Sequence, residues 1–300
     1  MENKIILVTG ATSQVGIVLV KELIARGYGV RCLVRRTSSI DGIRGQGVEF
    51  LYGDLDSFED VRAAAEGADK IIHIAGIWRI EHLLRAAEEI DFKGRIIFIG
   101  SMSRFKKLDS IDEKEKELAG RMAGAEKMIS ESKLDYVILR PTMLYGIDRD
   151  KNILQIIRFM RKFRFYPLIG GGNAQKHPVY VGDVAKAVVS CMSGTEVSRR
   201  DYVIAGEKPI KHREMLAAIK RNLPFKAFIL RVPVFAGYAA VFLYKLVKPS
   251  SYINYAMVKR VNEDSSYDIG PATRDFGYAP ADFETGVKKQ IDHLIENGLI

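Results

Sequence analysis

The chain of 300 residues is poor in the groups from which covalent or metal-held scaffolds are built. It has two cysteines, five histidines and one tryptophan. Cys32 and Cys191 lie far apart, each inside an apolar stretch, which excludes a disulfide framework and reads as buried free thiols in a reducing compartment. The histidines, at positions 73, 82, 177, 212 and 293, lack ligand spacing, so no metal site is expected. His73 reads as a core residue with its ring nitrogen satisfied. No stretch meets the roughly 20 apolar residues of a membrane span. Met1 to Val8 offers one lysine and a four-residue apolar run, short of the roughly 7–15 of a secretory signal, and a cytoplasmic placement is the expectation. No internal repeat or low-complexity linker divides the chain. The formal charge of +9 and pI near 9.3 suit polyanionic partners. Basic residues cluster at 31–36, 158–164 and 208–221, but no zinc-finger, RNA-recognition or KH-type signature accompanies them, so nucleic acid is not the expected partner.

What is present is an ordinary globular composition, 47% hydrophobic and 28% charged, arranged in alternation. Short β-branched runs at Ile5–Thr9, Gly29–Val34, Val48–Leu51, Lys70–Ile74, Arg95–Gly100 and Tyr136–Arg140 read as strands. Between them, Val15–Arg26, Phe58–Glu66, Arg79–Ile90 and Glu113–Glu131 carry helical periodicity. Nearly continuous apolar runs such as Ile5-Ile6-Leu7-Val8 suit strands covered on both faces. This order predicts an α/β fold, a Rossmann-type doubly wound parallel sheet. Past Pro141 the alternation loosens into a basic helix at Ile153–Phe163, a triple-glycine turn at 170–172 and a strand-to-helix step at Pro178–Met192. We therefore expect a dinucleotide-binding core at 1–145 and a smaller C-terminal α/β substrate lobe at 146–300, with core elements returning around 175–205.

The first strand runs straight into Thr9-Gly10-Ala11-Thr12-Ser13-Gln14-Val15-Gly16 and then a helix, the context a dinucleotide phosphate loop requires. Gly10 supplies a tight turn, the helix start from about Ser13 (Thr12 before it, Gln14 and Val15 after it) aims N–H groups at a pyrophosphate, and Gly16 permits close helix–strand packing. About 20 residues beyond the last glycine, NAD-preferring proteins carry an acid for the ribose 2′-hydroxyl. Here Arg35 and Arg36 close the second strand; guanidinium groups match a 2′-phosphate that a carboxylate would repel. The expected cofactor is NADP(H), with NAD the alternative.

At these residues the sequence resembles the short-chain dehydrogenase/reductase superfamily, in its extended and atypical branches of NAD-dependent epimerase/dehydratase proteins. Those branches read T-G-A-T-G-F-x-G, so Ser13 replaces the middle glycine. Gly53-Asp54-Leu55 resembles the family's G-D-L element, which implies that Asp54 and Leu55 approach the adenine. Ile74-Ala75-Gly76 resembles the turn beneath the adenosine ribose, placing Ala75 and Gly76 against the ligand. The resemblance continues through Leu139-Arg140-Pro141-Thr142, Leu144-Tyr145-Gly146, the segment Pro178 to Ala185, and Phe276-Gly277-Tyr278 with Pro280. It implies that Pro141 and Thr142 border the nicotinamide amide. Asp183 also has a plain reading as the N-cap of a helix Val184–Met192.

The family's chemistry pairs a serine or threonine after the fifth strand with a Tyr-x-x-x-Lys on the next helix. Ser101 and Ser103 fill the first place. Aligned through Ala125-Glu126-Lys127, the second place holds Leu118 and Met122, neither of which moves a proton. Of the remaining groups near this position, Arg104, Lys106 and Lys107, a desolvated Lys106 is the candidate acid or base. Three accounts stand open: an oxidoreductase or epimerase-like enzyme acting by hydride transfer on a nucleotide sugar or related small molecule, a non-catalytic NADP(H) sensor or scaffold, and an RNA-associated protein. Arg158, Arg161, Lys162 and Arg164 read either as a diphosphate site or as a solvated helix face, and Asn152 as a polar substrate contact.

Val232 to Tyr244 runs thirteen residues without a charge between Arg231 and Lys245. Peripheral membrane contact through 232–247, a buried helix, a pocket lid and a homodimer contact all explain that pattern.

Overall fold

The computed structural model describes residues 4–45, 47–110, 112–247 and 255–300. The chain divides into two compact units. The first comprises residues 1–142, 181–204 and 268–279, the second residues 143–180, 205–267 and 280–300.

The first unit is built on a seven-stranded parallel sheet. Its strands are β1 (Ile5–Thr9), β2 (Gly29–Val34), β3 (Val48–Tyr52), β4 (Lys70–His73), β5 (Arg95–Ile99), β6 (Asp135–Pro141) and the strand Arg200–Ile204. The helices are α1 (Gln14–Ala25), α2 (Phe58–Ala65), α3 (Glu81–Glu89), α4 (Ser103–Lys107) and α5 (Glu113–Glu131), followed by Val181–Ser190 and Gly270–Phe276. In space the order runs Arg200–Ile204, β6, β5, β4, β1, β2, β3. The chain builds outward from β1 through β2 to β3, then crosses back to lay β4 on the other side of β1. At that switch point the carboxyl ends of β1 and β4 diverge into opposite connections, where ligands of open α/β sheets bind.

Alternation of side chains along the strands fills both faces. Leu7, Ile71, Ile96, Phe98 and Ile138 meet Ala64 and Ala65 of α2, Leu83 and Ala86 of α3, and Ala125 and Ile129 of α5. On α1 the buried stripe is Val15, Ile17, Leu19, Val20 and Leu23, and that helix packs against Val181–Ser190. Cys32 and Cys191 are buried free thiols, each pushed up to about 12 by burial. Asp183 lies buried in the first turn of its helix, which begins at Val181. The expected N-cap role therefore does not apply, because the helix starts three residues earlier than the sequence pattern suggests.

The second unit gathers its core from three helices. They contribute Ile153, Leu154, Ile157 and Met160 of Ile153–Phe163, Leu216 and Ile219 of His212–Asn222, and Val287, Ile291 and Leu294 of Phe283–Glu296. Parallel two-strand ladders join Met143–Tyr145 to Pro178–Tyr180 and Phe165–Ile169 to Phe228–Val232. The fully buried Gln290 donates to the Ile147 carbonyl at 2.9 Å and to the Asp150 carboxylate, whose Oδ1 in turn accepts from the Asn152 and Leu154 amides at 2.9 and 3.0 Å. Asp150, held this way, satisfies the start of the helix Ile153–Phe163.

Gly286 faces the buried Tyr145 hydroxyl so closely that an added methyl group would collide with it. Overpacking a filled core costs about 1–3 kcal/mol, against roughly 1 kcal/mol gained in helix propensity. Gly286→Ala is expected to lower the midpoint of urea unfolding at an unchanged slope.

Candidate functional site

The carboxyl end of β1 turns at Gly10, whose φ is +73°. A Cβ there would stand 2.5 Å from the Ala75 nitrogen and 2.8 Å from the Ile74 carbonyl carbon, both backbone atoms that cannot give way. Gly16 on the first turn of α1 is equally constrained, because a side chain would strike the Gly10 carbonyl and the Ala11 backbone. These two positions require glycine sterically, and the result is a concave loop with the start of α1 at its floor.

Ser13 is the N-cap of α1. It is extended (φ −75°, ψ 166°), and its Oγ accepts from the Gly16 amide at 3.1 Å. That conformation is open to any L-residue, so the serine costs the loop nothing. The Ser13 amide donates to the Gly10 carbonyl at 3.0 Å and the Ile17 amide to the Ser13 carbonyl at 2.9 Å. The Gln14 and Val15 amides, at the first two helical positions, have no backbone partner among the described residues. Since Ser13 Oγ accepts, its own proton stays available for donation. Two open amides, a hydroxyl proton and the positive end of a 12-residue helix thus face one concavity, the arrangement that binds phosphate. Thr12 precedes them on the same loop and is half-buried.

On β4, the neighbouring strand, His73 pairs in register with Thr9. Thr9 Oγ1 lies 2.9 Å from His73 Nδ1, and His73 Nε2 lies 3.4 Å from the Gly76 carbonyl. A carbonyl only accepts, so the proton sits on Nε2 and Nδ1 receives the threonine hydroxyl. Both side chains are fully buried. The histidine is a neutral strut tying the Ala75–Gly76 turn to β1, as the sequence suggested. Trp78, the single tryptophan, lays its indole against Gly76: a Cβ there would be 2.5 Å from the ring. Arg121 sits over the same ring at 5.6 Å.

Arg35 and Arg36 follow β2 directly, and both are exposed. The Arg36 guanidinium lies 5.7 Å over the ring of Tyr52 at the end of β3. Asp54 Oδ1 accepts from the Asp56 amide at 3.0 Å and pairs with Arg79. Its carboxyl is held below the usual range by that amide first, then by Arg79 and Arg35. Arg79 also reaches Asp56 at 2.8 Å. Leu55 is buried and joins the core. The structure brings Gly10, Ser13, Gln14, Val15, Gly16, Ala75 and Gly76 together around the ends of β1 and β4, with Arg35, Arg36, Asp54 and Leu55 at the ends of β2 and β3.

At the end of β5, Ser101 and Ser103 form a pair with their Oγ atoms 2.8 Å apart, and the Ser103 amide donates to Ser101 Oγ at 3.1 Å. Beside them, the Met102 amide donates to the Pro141 carbonyl at 3.1 Å, and the Thr142 amide to the Ile204 carbonyl at 3.0 Å. Lys106 is exposed on α4. The desolvation that would let a lysine act as base is not met there, which corrects the sequence expectation. Its neighbours are engaged as well: Lys107 pairs with Glu115 at 3.2 Å and Arg104 with Glu126 at 2.9 Å.

Glu126, buried on α5, is the hub of an ion cluster that the sequence did not reveal. Its Oε2 accepts from Arg140 Nε at 3.0 Å, Arg140 Nη2 at 2.7 Å and Arg104 Nη2, while Arg140 also pairs with Asp201. Oε1 has no hydrogen-bond partner and would lie 3.2 Å from a Cβ on Gly100. Leu118 and Met122 stand eight and four residues before Glu126 on α5, hence on one helix face. The ion cluster is intact while the two positions above it are apolar.

In the second unit, Arg158, Arg161 and Lys162 project from the exposed side of Ile153–Phe163. Arg161 donates to the Leu299 carbonyl, and Lys162 lies 5.1 Å over Phe163. Arg164 is the left-handed C-cap, 4.7 Å over Phe225. Asn152 spends its amide on the Leu144 carbonyl at 3.3 Å.

With this geometry in place, a family model described as NAD(P)H-binding matches residues 10–195. The chain belongs to this family. Across its NAD(P)H-binding core and beyond, it is 25% identical over 289 residues to the photosystem II assembly factor Ycf39 of Guillardia theta, covering 92% of this chain and 90% of that one. It is 24% identical over 267 residues to the 4-hydroxy-2-methyl-3-oxo-4-farnesyl-3,4-dihydroquinoline-1-oxide ketoreductase of Stigmatella aurantiaca, covering 79% and 78%. Among solved structures, the UDP-glucose 4-epimerase of Thermotoga maritima with UDP-glucose superposes with a TM-score of 0.76 at 17% identity, covering 98% of this chain and 99% of that one. The fold of this NAD(P)H-binding protein is thus that of the solved epimerase.

Burial pushes the His73 imidazole down to about 4, with Arg79 adding to the effect and the Gly76 hydrogen bond opposing it. The unfolded chain takes up that proton near pH 6.5, whereas the folded ring resists it until about pH 4. Stability is therefore present above pH 6.5 and lost as pH falls through that window. His73→Gln, which does not titrate, is expected to reduce the loss of unfolding free energy between pH 7 and pH 4.5 by about 1–3 kcal/mol, read from urea titrations at the two pH values. An unchanged pH slope would remove the strut from this account.

Proposed function

We propose that this protein is an NADP(H)-dependent oxidoreductase or epimerase-like enzyme acting on a nucleotide-linked sugar or a related small molecule. The observation that carries this reading is the steric pair Gly10 and Gly16 around the capped start of α1, with two guanidinium groups at the end of β2. When bound, the nicotinamide cofactor supplies or accepts a hydride at a carbon beside an oxygen. The Gln14 and Val15 amides and the Ser13 hydroxyl hold its diphosphate. Arg35 and Arg36 bind the 2′-phosphate as charge-assisted donors. Asp54 and the Leu55 backbone take the adenine edge, Thr12 and the turn at Ala75 and Gly76 bound the loop, and Pro141 and Thr142 border the nicotinamide amide. Ser101, oriented by Ser103, donates to the substrate oxygen. The buried thiols Cys32 and Cys191 support a reducing, cytoplasmic setting. The Thermotoga epimerase with UDP-glucose and the Stigmatella ketoreductase support this substrate and reaction class.

Leu118 and Met122 support a second reading, a sensor or scaffold that keeps cofactor binding without turnover; the assembly factor from Guillardia is a relative in keeping with it. Calorimetric titration and a turnover assay separate the two. A charge-assisted hydrogen bond contributes about 1.5–3 kcal/mol, so the double substitution Arg35→Ala/Arg36→Ala is expected to weaken NADPH binding roughly 10–100-fold and leave NADH binding nearly unchanged. Equal losses for both cofactors would refute the 2′-phosphate assignment. NADPH oxidation with a panel of ketones, or interconversion of nucleotide-sugar epimers at no net cost in cofactor, lost in Ser101→Ala at retained NADPH affinity, is the result expected of the enzyme. Tight NADPH binding with no turnover of any of them would establish the sensor.

A further inference from the structure

The second unit carries a helix, Val234–Val247, that is apolar on almost every side and covered on almost none. Of the fifteen large hydrophobic side chains exposed among the described residues, seven lie on it, and Phe228 and Leu230 lie on the strand leading into it. Phe235 is 76% exposed, Leu243 61% and Leu246 66%. Gly237 and Val241, four residues apart and so on one line of the helix, are its buried positions. At Gly237 the missing side chain lets the helix rest on Ile169, 2.9 Å from where a Cβ would be. The rest of the circumference presents Val, Phe, Ala, Tyr and Leu, where a solvated surface helix presents charge. The surrounding sequence is one-sided in charge. Between Glu214 and Glu263 it contains eight lysines and arginines, from Lys220 to Arg260, and no aspartate or glutamate.

We propose that this face seats on an anionic lipid surface, with Val234–Val247 lying in the plane of the interface. Its fourteen residues extend about 21 Å, short of the ~30 Å hydrocarbon thickness. No helix among the described residues is long and apolar enough to cross a membrane, so the helix lies flat rather than spanning. Tyr238 and Tyr244 place amphipathic rings at the headgroup level, and the acid-free flanks meet phosphate headgroups. A flat protein partner would cover one side of a helix that is exposed on most of its circumference, whereas acyl chains fill around it. A second copy would bring two acid-free segments of like charge together.

The inference is independent of the cofactor assignment. Its test is sedimentation of the full-length chain with vesicles of phosphatidylcholine alone and of phosphatidylcholine mixed with phosphatidylglycerol, alongside light scattering of the free protein. The expected result is co-sedimentation with the mixed vesicles, weaker at high salt, and falling at least about tenfold in the double substitution Phe235→Glu/Leu243→Glu. Both side chains are exposed, so an unchanged melting temperature is the control for folding. Retention unaffected by the double substitution would overturn the insertion of the helix. A dimer dissolved by the same substitutions, in a protein that ignores both vesicle types, would assign the face to a second copy and overturn the proposal outright.

Discussion

Between the ends of β1 and β4, two stretches of backbone pass with no room for a methyl group. A Cβ on Gly10 would stand 2.5 Å from the Ala75 nitrogen, and this contact sets the path of everything that follows. Because the chain leaves β1 in a left-handed turn, α1 begins directly beneath the loop, and Gly16 must then be bare to clear the Gly10 carbonyl. The Thr9–His73–Gly76 relay holds the opposite lip at a fixed height. The concavity is thus a consequence of missing side chains on one side and a buried neutral imidazole on the other. The Gln14 and Val15 amides lack a backbone partner among the described residues because α1 begins there.

Near the end of β5 a buried ion cluster joins three elements of the first unit. Glu126 binds Arg140 and Arg104 through one carboxylate oxygen, and removing one partner of such a buried pair typically costs about 3–5 kcal/mol. That cluster ties α4 and α5 to β6 whatever side chains lie one and two turns earlier on α5. Leu118 and Met122 lie eight and four residues before the hub on α5 and carry no charge to join it. Structural necessity therefore accounts for Glu126, Arg104 and Arg140, and leaves Ser101 and Ser103 as the paired hydroxyls at the end of β5 whose geometry is not explained by the ion cluster.

Much of the first unit was readable before any coordinates. Six strands announced themselves as apolar runs because parallel strands are buried on both faces, and Gly10 through Gly16 followed the first of them without a gap. The seventh strand, Arg200–Ile204, was not readable. It opens on two exposed charged residues at the sheet edge, and its Asp201 serves Arg140, sixty-one residues away. The pairing of Arg104 and Lys107 was not readable for the same reason, since their partners Glu126 and Glu115 lie on another helix. Ser13 was visible as a departure from the family's glycine, but only its extended backbone and the Gly16 contact show that the departure caps α1. For residues 232–244, composition alone could not separate burial from exposure. A helix apolar on all sides carries no stripe pointing to its partner, and the neighbouring chain decides the matter.

Trp78 is the lone indole of the chain. Trp78 rests on Gly76 with a guanidinium above its ring, so its emission samples one place, the lip of the loop at the switch point of the sheet. Any ligand that shifts this turn by a fraction of an ångström alters the stacking of that ring and the field it feels. The protein therefore carries its own optical probe of this turn, free of background from any second tryptophan.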